Sequence, residues 1–146
     1  MAVMYEPMSG GSGIPEVKVF LNGIDLPRIL LVNTGIAKCL GVMGSVSAGL
    51  PVGKEGPMVH SGAVSASIVT SGQVRDDKAR RDYVACGAAA GVCTAFSAPI
   101  GGVLFSLEEG ASYWSPNVTF RSFFTSAWAI ATLYALGTIG NGEFFQ

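Results

Sequence analysis

The residues best suited to chemistry in this 146-residue chain sit in two glycine- and proline-rich motifs and one acidic pair. The first motif is Gly10-Gly11-Ser12-Gly13-Ile14-Pro15-Glu16, and the second is Gly53-Lys54-Glu55-Gly56-Pro57. In both, glycines precede a proline and an apolar stretch follows. Proline suits the first helical turn, where its missing N–H would lack a partner in any case. Each motif therefore predicts an exposed helix N-terminus, with unpaired N–H groups and the positive end of the helix dipole. Such an end binds anions. Partial charges stabilise an ion enough to admit it and weakly enough to release it, which suits conduction better than a full positive charge. The plain alternative is a pair of Gly-Pro turns in an ordinary bundle. Two copies of the motif, with the second between long apolar runs, favour the anion site.

Glu55 is the acidic member of the second motif. A carboxylate at a helix N-terminus in apolar surroundings is either a cap or a mobile mimic of an anion. Glu108 and Glu109 end a 25-residue stretch without charge. Neighbouring helical residues point about 100° apart, so one of the two carboxylates can turn inward while the other meets solvent or a partner. Ionisable groups in such surroundings are functional candidates, here for proton uptake. Other motifs fall away. The stretch from Gly49 to Glu55 is one residue short of a phosphate loop and lacks its Ser/Thr. Cys39, Cys86 and Cys93 lie in apolar runs and read as small buried hydrophobes. His60 is the only histidine, so no histidine-based metal cluster or catalytic triad forms, and it reads as a packed or hydrogen-bonded residue. Asn117-Val118-Thr119 is a glycosylation sequon.

The elements that must position these residues are helical. The chain is 49% hydrophobic and 13% charged, with 20 glycines and a net charge of -1; an ordinary soluble domain is about 25% charged. Disorder, a nucleic-acid partner and a disulfide scaffold are excluded by this balance. Seven of the charges gather in residues 75–82. Charge-free runs cover residues 56–74, 83–107 and 122–142, and residues 39–53 extend back to residue 29 with Lys38 as the one interruption. About 20 mainly apolar residues suffice for a helix that crosses a membrane, so these runs predict an all-α integral membrane protein. Helices are expected at about residues 13–21, 28–48, 56–71, 78–97, 100–110 and 118–136, the first and fifth too short to span. Gly87 and Gly91 form a GxxxG step, read as a helix-pairing face. No signal peptide is visible at residues 1–9.

Three stretches together resemble the CLC chloride channel and chloride/proton exchanger family. They are Gly11-Ser12-Gly13-Ile14-Pro15-Glu16, Gly53-Lys54-Glu55-Gly56-Pro57, and Gly87-Ala88-Ala89-Ala90-Gly91 through Ala98-Pro99 to Leu104-Phe105-Ser106-Leu107-Glu108-Glu109. The resemblance runs over about residues 9–136 and implies a partial CLC membrane domain across residues 1–146, with a broken-helix transporter fold. It implies chloride/proton antiport, without enzyme chemistry, metal or cofactor, chloride and protons being the transported ions.

By that resemblance, chloride is held at Ser12, Gly13 and Ile14 and at Gly53, Lys54, Glu55 and Gly56. Ser12 stands where the family's serine hydroxyl helps hold the central chloride; proline is common there in plant nitrate exchangers. Glu55 stands where the gating glutamate competes with chloride and takes up protons. Glu109 stands where exchangers carry an internal proton-transfer glutamate and channels usually have a non-acidic residue. The wording from Ser106 to Trp114 is similar to lysosomal and plant endomembrane members, which implies a eukaryotic endomembrane such as lysosome, vacuole or endosome. The family implies a lipid bilayer and a homodimer of full-length chains. A full family protomer has two inverted halves, and the second supplies a tyrosine hydroxyl and further N–H groups to chloride. The present chain resembles most of the first half and is expected to be a fragment or truncated gene model. The competing expectations are a non-transporting membrane fragment and a chloride channel without proton coupling.

Overall fold

The computed structural model describes residues 6–24, 26, 28–109 and 115–139. Among these, a 3-10 turn at Pro7–Ser9 leads into six α-helices: α1 (Ile14–Leu21), α2 (Val32–Ser47), α3 (Glu55–Ser71), α4 (Asp77–Phe96), α5 (Pro99–Glu109) and α6 (Pro116–Ile139).

The helix boundaries follow local chemistry. Gly13, at φ +84°, caps α1, and Pro15 occupies its first turn. The Asp76 carboxylate accepts from the Lys78 N–H at 3.2 Å and starts α4. Ser97 takes a left-handed conformation at φ 53° and ends it, and Pro99 opens α5. Most boundaries move by one to four residues, and two of these shifts bear on the site. Helix α2 begins at Val32 rather than residue 28, because Arg28 stands at φ 70° and Leu31 is extended. The Thr34 hydroxyl donates to the Arg28 carbonyl at 2.7 Å and holds that turn. Helix α3 begins one residue early, which brings Glu55 into its first turn.

The charge-free runs map onto helices that are short or broken. Among the described residues, no helix is long and apolar enough to cross a membrane. The run at 83–107 is divided between α4 and α5 by the Ser97 cap. Helix α3 has 17 residues.

Small residues decide how the helices pack. The most extensive contact is α3 with α4. A Cβ on Gly91 would stand 2.8 Å from the Val59 Cα, and one on Gly87 would stand 2.5 Å from the Ala66 Cβ. Gly62 faces the Gly87 carbonyl just as closely. Backbone thus lies on backbone across this pair, as the GxxxG step predicts. Val17, Phe20 and Leu21 of α1 close the core against Val59, Ala63, Val84, Ala88 and Val92. Farther along, α4, α5 and α6 share buried polar links. The Ser106 and Ser122 hydroxyls are 3.0 Å apart, Ser122 donates to the Cys86 sulfur at 3.4 Å, and the Cys93 thiol donates to the Ser126 carbonyl at 3.2 Å. The outside is apolar by contrast. Ile36, Leu40 and Met43 on α2 are exposed, as are Phe120, Phe123, Phe124 and Trp128 on α6. So many large apolar and aromatic side chains on the outside depart from the surface of a soluble domain.

Candidate functional site

Two helix N-termini meet. At the first, the Val17 N–H bonds to the Gly13 carbonyl at 3.1 Å, which closes the opening turn of α1. The N–H groups of Ile14 and Glu16 lie ahead of that bond, where no intrahelical partner exists, and Pro15 has none to satisfy. At the second, the Met58 N–H bonds to the Lys54 carbonyl at 3.1 Å. The N–H groups of Glu55 and Gly56 are left free of helical partners in the same way.

The two ends touch through Gly56. A Cβ there would lie 2.7 Å from the Ser12 Cβ and 3.0 Å from the Ser12 carbonyl oxygen. Only glycine permits this approach. An open cleft of about 1280 Å³ lies over the contact, and Ser12, Ile14, Gly53, Glu55 and Gly56 all line it. Glu55 is half-buried, and its carboxylate folds back onto the Gly53 α-carbon. The carboxylate therefore rests at the mouth of the α3 N-terminus, where an anion would sit.

The remaining expected site residues divide. Gly13 is buried behind the cleft wall rather than in it. Lys54 is exposed at the N-cap of α3 and stands outside the lining. Glu109 is the last residue of α5, and its side chain lies outside the described residues. Glu108 beside it is exposed. Helix α5 packs on α4 and α6 and contributes nothing to the cleft lining.

The structure adds residues that motif reading missed. Lys38 on α2 is 3% exposed, and its ammonium lies 2.7 Å from Nδ1 of His60 on α3, itself 1% exposed. His60 Nε2 lies 3.0 Å from the Ile29 carbonyl. The expectation that His60 is packed and hydrogen-bonded holds. Lys38 also lines the cleft. Its signal was present in the sequence, because it is the lone charge in a long apolar stretch. The rule that singled out Glu55 applies equally to it.

An all-α bundle of short, broken helices, with two N-termini converging on one cleft and apolar side chains outside, has the architecture of broken-helix membrane proteins. Comparison with known proteins gives the family. The model described as voltage gated chloride channel matches residues 1–146. The H(+)/Cl(-) exchange transporter 7 of Homo sapiens is 46% identical over 159 residues, which cover 100% of this chain and 20% of that protein. Chloride channel protein CLC-d of Arabidopsis thaliana is 47% identical over 152 residues, 94% of this chain and 19% of the plant protein. Chloride channel protein CLC-c of the same plant is 48% identical over 149 residues, 93% of this chain and 19% of its own length. The chain belongs to the voltage-gated chloride channel (CLC) family of membrane proteins. It spans about a fifth of the length of the curated relatives it matches. Those relatives carry the names of transporters and channels, not of enzymes.

Proposed function

We propose that this chain carries an anion-binding half-site of a CLC-type chloride/proton antiporter. The observation that carries the reading is the convergence of the α1 and α3 N-termini through Ser12 and Gly56. Chloride is held by the N–H groups at Ser12 and Ile14 and around Gly53, Glu55 and Gly56; Gly13 shapes the turn behind them, and Lys54 adds positive charge from outside the lining. Each helix end supplies about half a positive charge. The Glu55 carboxylate occupies the α3 end until a chloride displaces it or a proton neutralises it. Glu109 passes protons toward Glu55. No metal or cofactor takes part.

The likeness to H(+)/Cl(-) exchange transporter 7 supports antiport over channel conduction. The outward-facing aromatics of α6 support a lipid bilayer as the surrounding phase. A homodimer of full-length chains and an endomembrane location, lysosomal or vacuolar, complete the proposal.

Chloride titration of the detergent-purified chain, followed by 35Cl line broadening, tests the site. Saturable broadening that strengthens in Glu55→Gln is expected. Its absence in both proteins overturns the assignment. Chloride flux with proton counterflow in liposomes holding only this chain would defeat the reading of a non-transporting fragment. Proton coupling that survives Glu109→Ala in a full-length relative carrying the same motif would overturn the proton-transfer role of Glu109.

A further inference from the structure

We infer that His60 is a positioning residue: it fixes the Lys38 ammonium behind the N-terminus of α1 and thereby sets the strength of anion binding at Ser12 and Ile14. The inference rests on the anion reading of the cleft and adds a residue and a device to it.

The hydrogen bonds leave one arrangement of protons. The Ile29 carbonyl can only accept, so His60 Nε2 carries the hydrogen. Nδ1 of the neutral ring then holds a lone pair, and Lys38 Nζ donates to it across 2.7 Å. A doubly protonated ring would set an N–H against an ammonium in a buried site, which the geometry excludes. The Ile29 carbonyl is itself fixed. It follows Arg28, whose left-handed φ of 70° is unusual for a residue with a side chain, and the Thr34 hydroxyl holds the Arg28 carbonyl at 2.7 Å. A strained turn, the histidine and the lysine thus form one chain of contacts.

That chain ends at the anion site. A Cβ on Gly13 would stand 2.6 Å from Lys38 Nζ and 2.7 Å from the His60 ring carbon Cγ. The ammonium therefore sits directly behind the residue that caps α1. A cation at a helix N-terminus adds to the positive end of the dipole rather than opposing it. Such an accumulation of positive charge is tolerable in a buried site only beside negative charge. Glu16, on the first turn of α1, is the built-in counter-charge, and its Oε2 is buried without a hydrogen-bond partner. An anion in the cleft at Ser12 is the second. Lys38 held in place raises the field at that position; Lys38 released swings away or pairs with Glu16 and lowers it.

Three substitutions separate positioning from packing. His60→Asn keeps an acceptor near the Nδ1 position, His60→Gln keeps a donor near Nε2, and His60→Leu keeps neither. In 35Cl titrations of the full purified chain in detergent, His60→Asn should bind chloride within about threefold of the unaltered chain. His60→Gln and His60→Leu should bind at least tenfold more weakly. In a Lys38→Met background, His60→Gln should cause no further loss, because the two residues act as one unit. Independently, the 15N spectrum of ring-labelled His60 should show Nε2 protonated and Nδ1 bare, with Nδ1 shifting in Lys38→Met. Equal losses in the Asn and Gln variants, additivity with Lys38→Met, or a protonated Nδ1 would overturn the inference. Should the unaltered chain bind no chloride, the anion reading fails and takes the affinity consequence with it. The nitrogen spectrum then still decides whether His60 holds Lys38.

Discussion

Gly56 at the start of α3 lies directly against Ser12 at the start of α1, with no room for a Cβ between them. The contact joins two segments 44 positions apart in sequence and creates a site that neither has alone. Gly56→Ala should destabilise the fold by about 1–3 kcal/mol, the usual cost of overpacking, and should weaken chloride binding as the two helix ends part. Gly44→Ala is the control. It lies within α2 with nothing within 4 Å of its added Cβ, so the gain in helix propensity should stabilise the chain by up to about 1 kcal/mol. Denaturant unfolding in detergent, paired with chloride titration, distinguishes the two.

Glu55→Gln removes the carboxylate that competes for the α3 end. Two unit charges 4 Å apart interact by about 4 kcal/mol at an effective dielectric of 20. With allowance for water in the open cleft, chloride affinity should rise by roughly tenfold, or about 1.4 kcal/mol. Gly53→Ala places a Cβ where the Glu55 carboxylate rests. It should displace the carboxylate and shift chloride affinity in the same direction while leaving the charge in place. Unchanged affinity in both variants would remove Glu55 from the site.

Helix pairing gives a prediction without reference to ions. Gly91 faces the Met58 carbonyl and the Val59 Cα, the latter 2.8 Å from where a Cβ would stand. Because the obstacle is backbone, it cannot rotate away. Gly91→Ala should cost about 1–3 kcal/mol or more. Gly72→Ala, with open space around it at the end of α3, should cost far less. Thermal unfolding followed by circular dichroism measures both.

The buried serines should respond to truncation according to what they leave behind. Ser106→Ala removes one partner of Ser122, yet Ser122 keeps the Cys86 sulfur 3.4 Å away. The expected loss is about 0.5–1.5 kcal/mol, the net value of a typical hydrogen bond. Ser122→Ala deprives both Ser106 and Cys86 and should cost more. The ordering of the two unfolding midpoints is the check.

Asp76→Ala removes the carboxylate that caps α4. A loss of about 0.5–2 kcal/mol is expected, and Asp76→Asn should recover most of it. The same unfolding assay reports both.

Much of this protein was legible in the chain itself. Glycine before proline marks a helix start through local geometry, so both motifs were found as N-termini. The scarcity of charge made Glu55 stand out, and the GxxxG step announced the α3 contact. These features depend on a residue and its near neighbours. The break between α4 and α5 was legible too, because Pro99 marks it; the late start of α2 was less visible, because a left-handed Arg28 is a conformation without a residue-type signature. Only the tertiary structure decided that Ser12 meets Gly56, that the Glu55 carboxylate folds onto Gly53, and that Lys38 reaches His60 across 22 positions. It also placed Lys54 outside the cleft. The physical reason is the same in each case. Local rules state which backbone groups a segment leaves unpaired, but the direction in which a helix end points follows from how whole helices pack. Here that packing is set by the absence of side chains at Gly35, Gly56, Gly62, Gly87 and Gly91, and each absence takes its meaning from the neighbour that fills it.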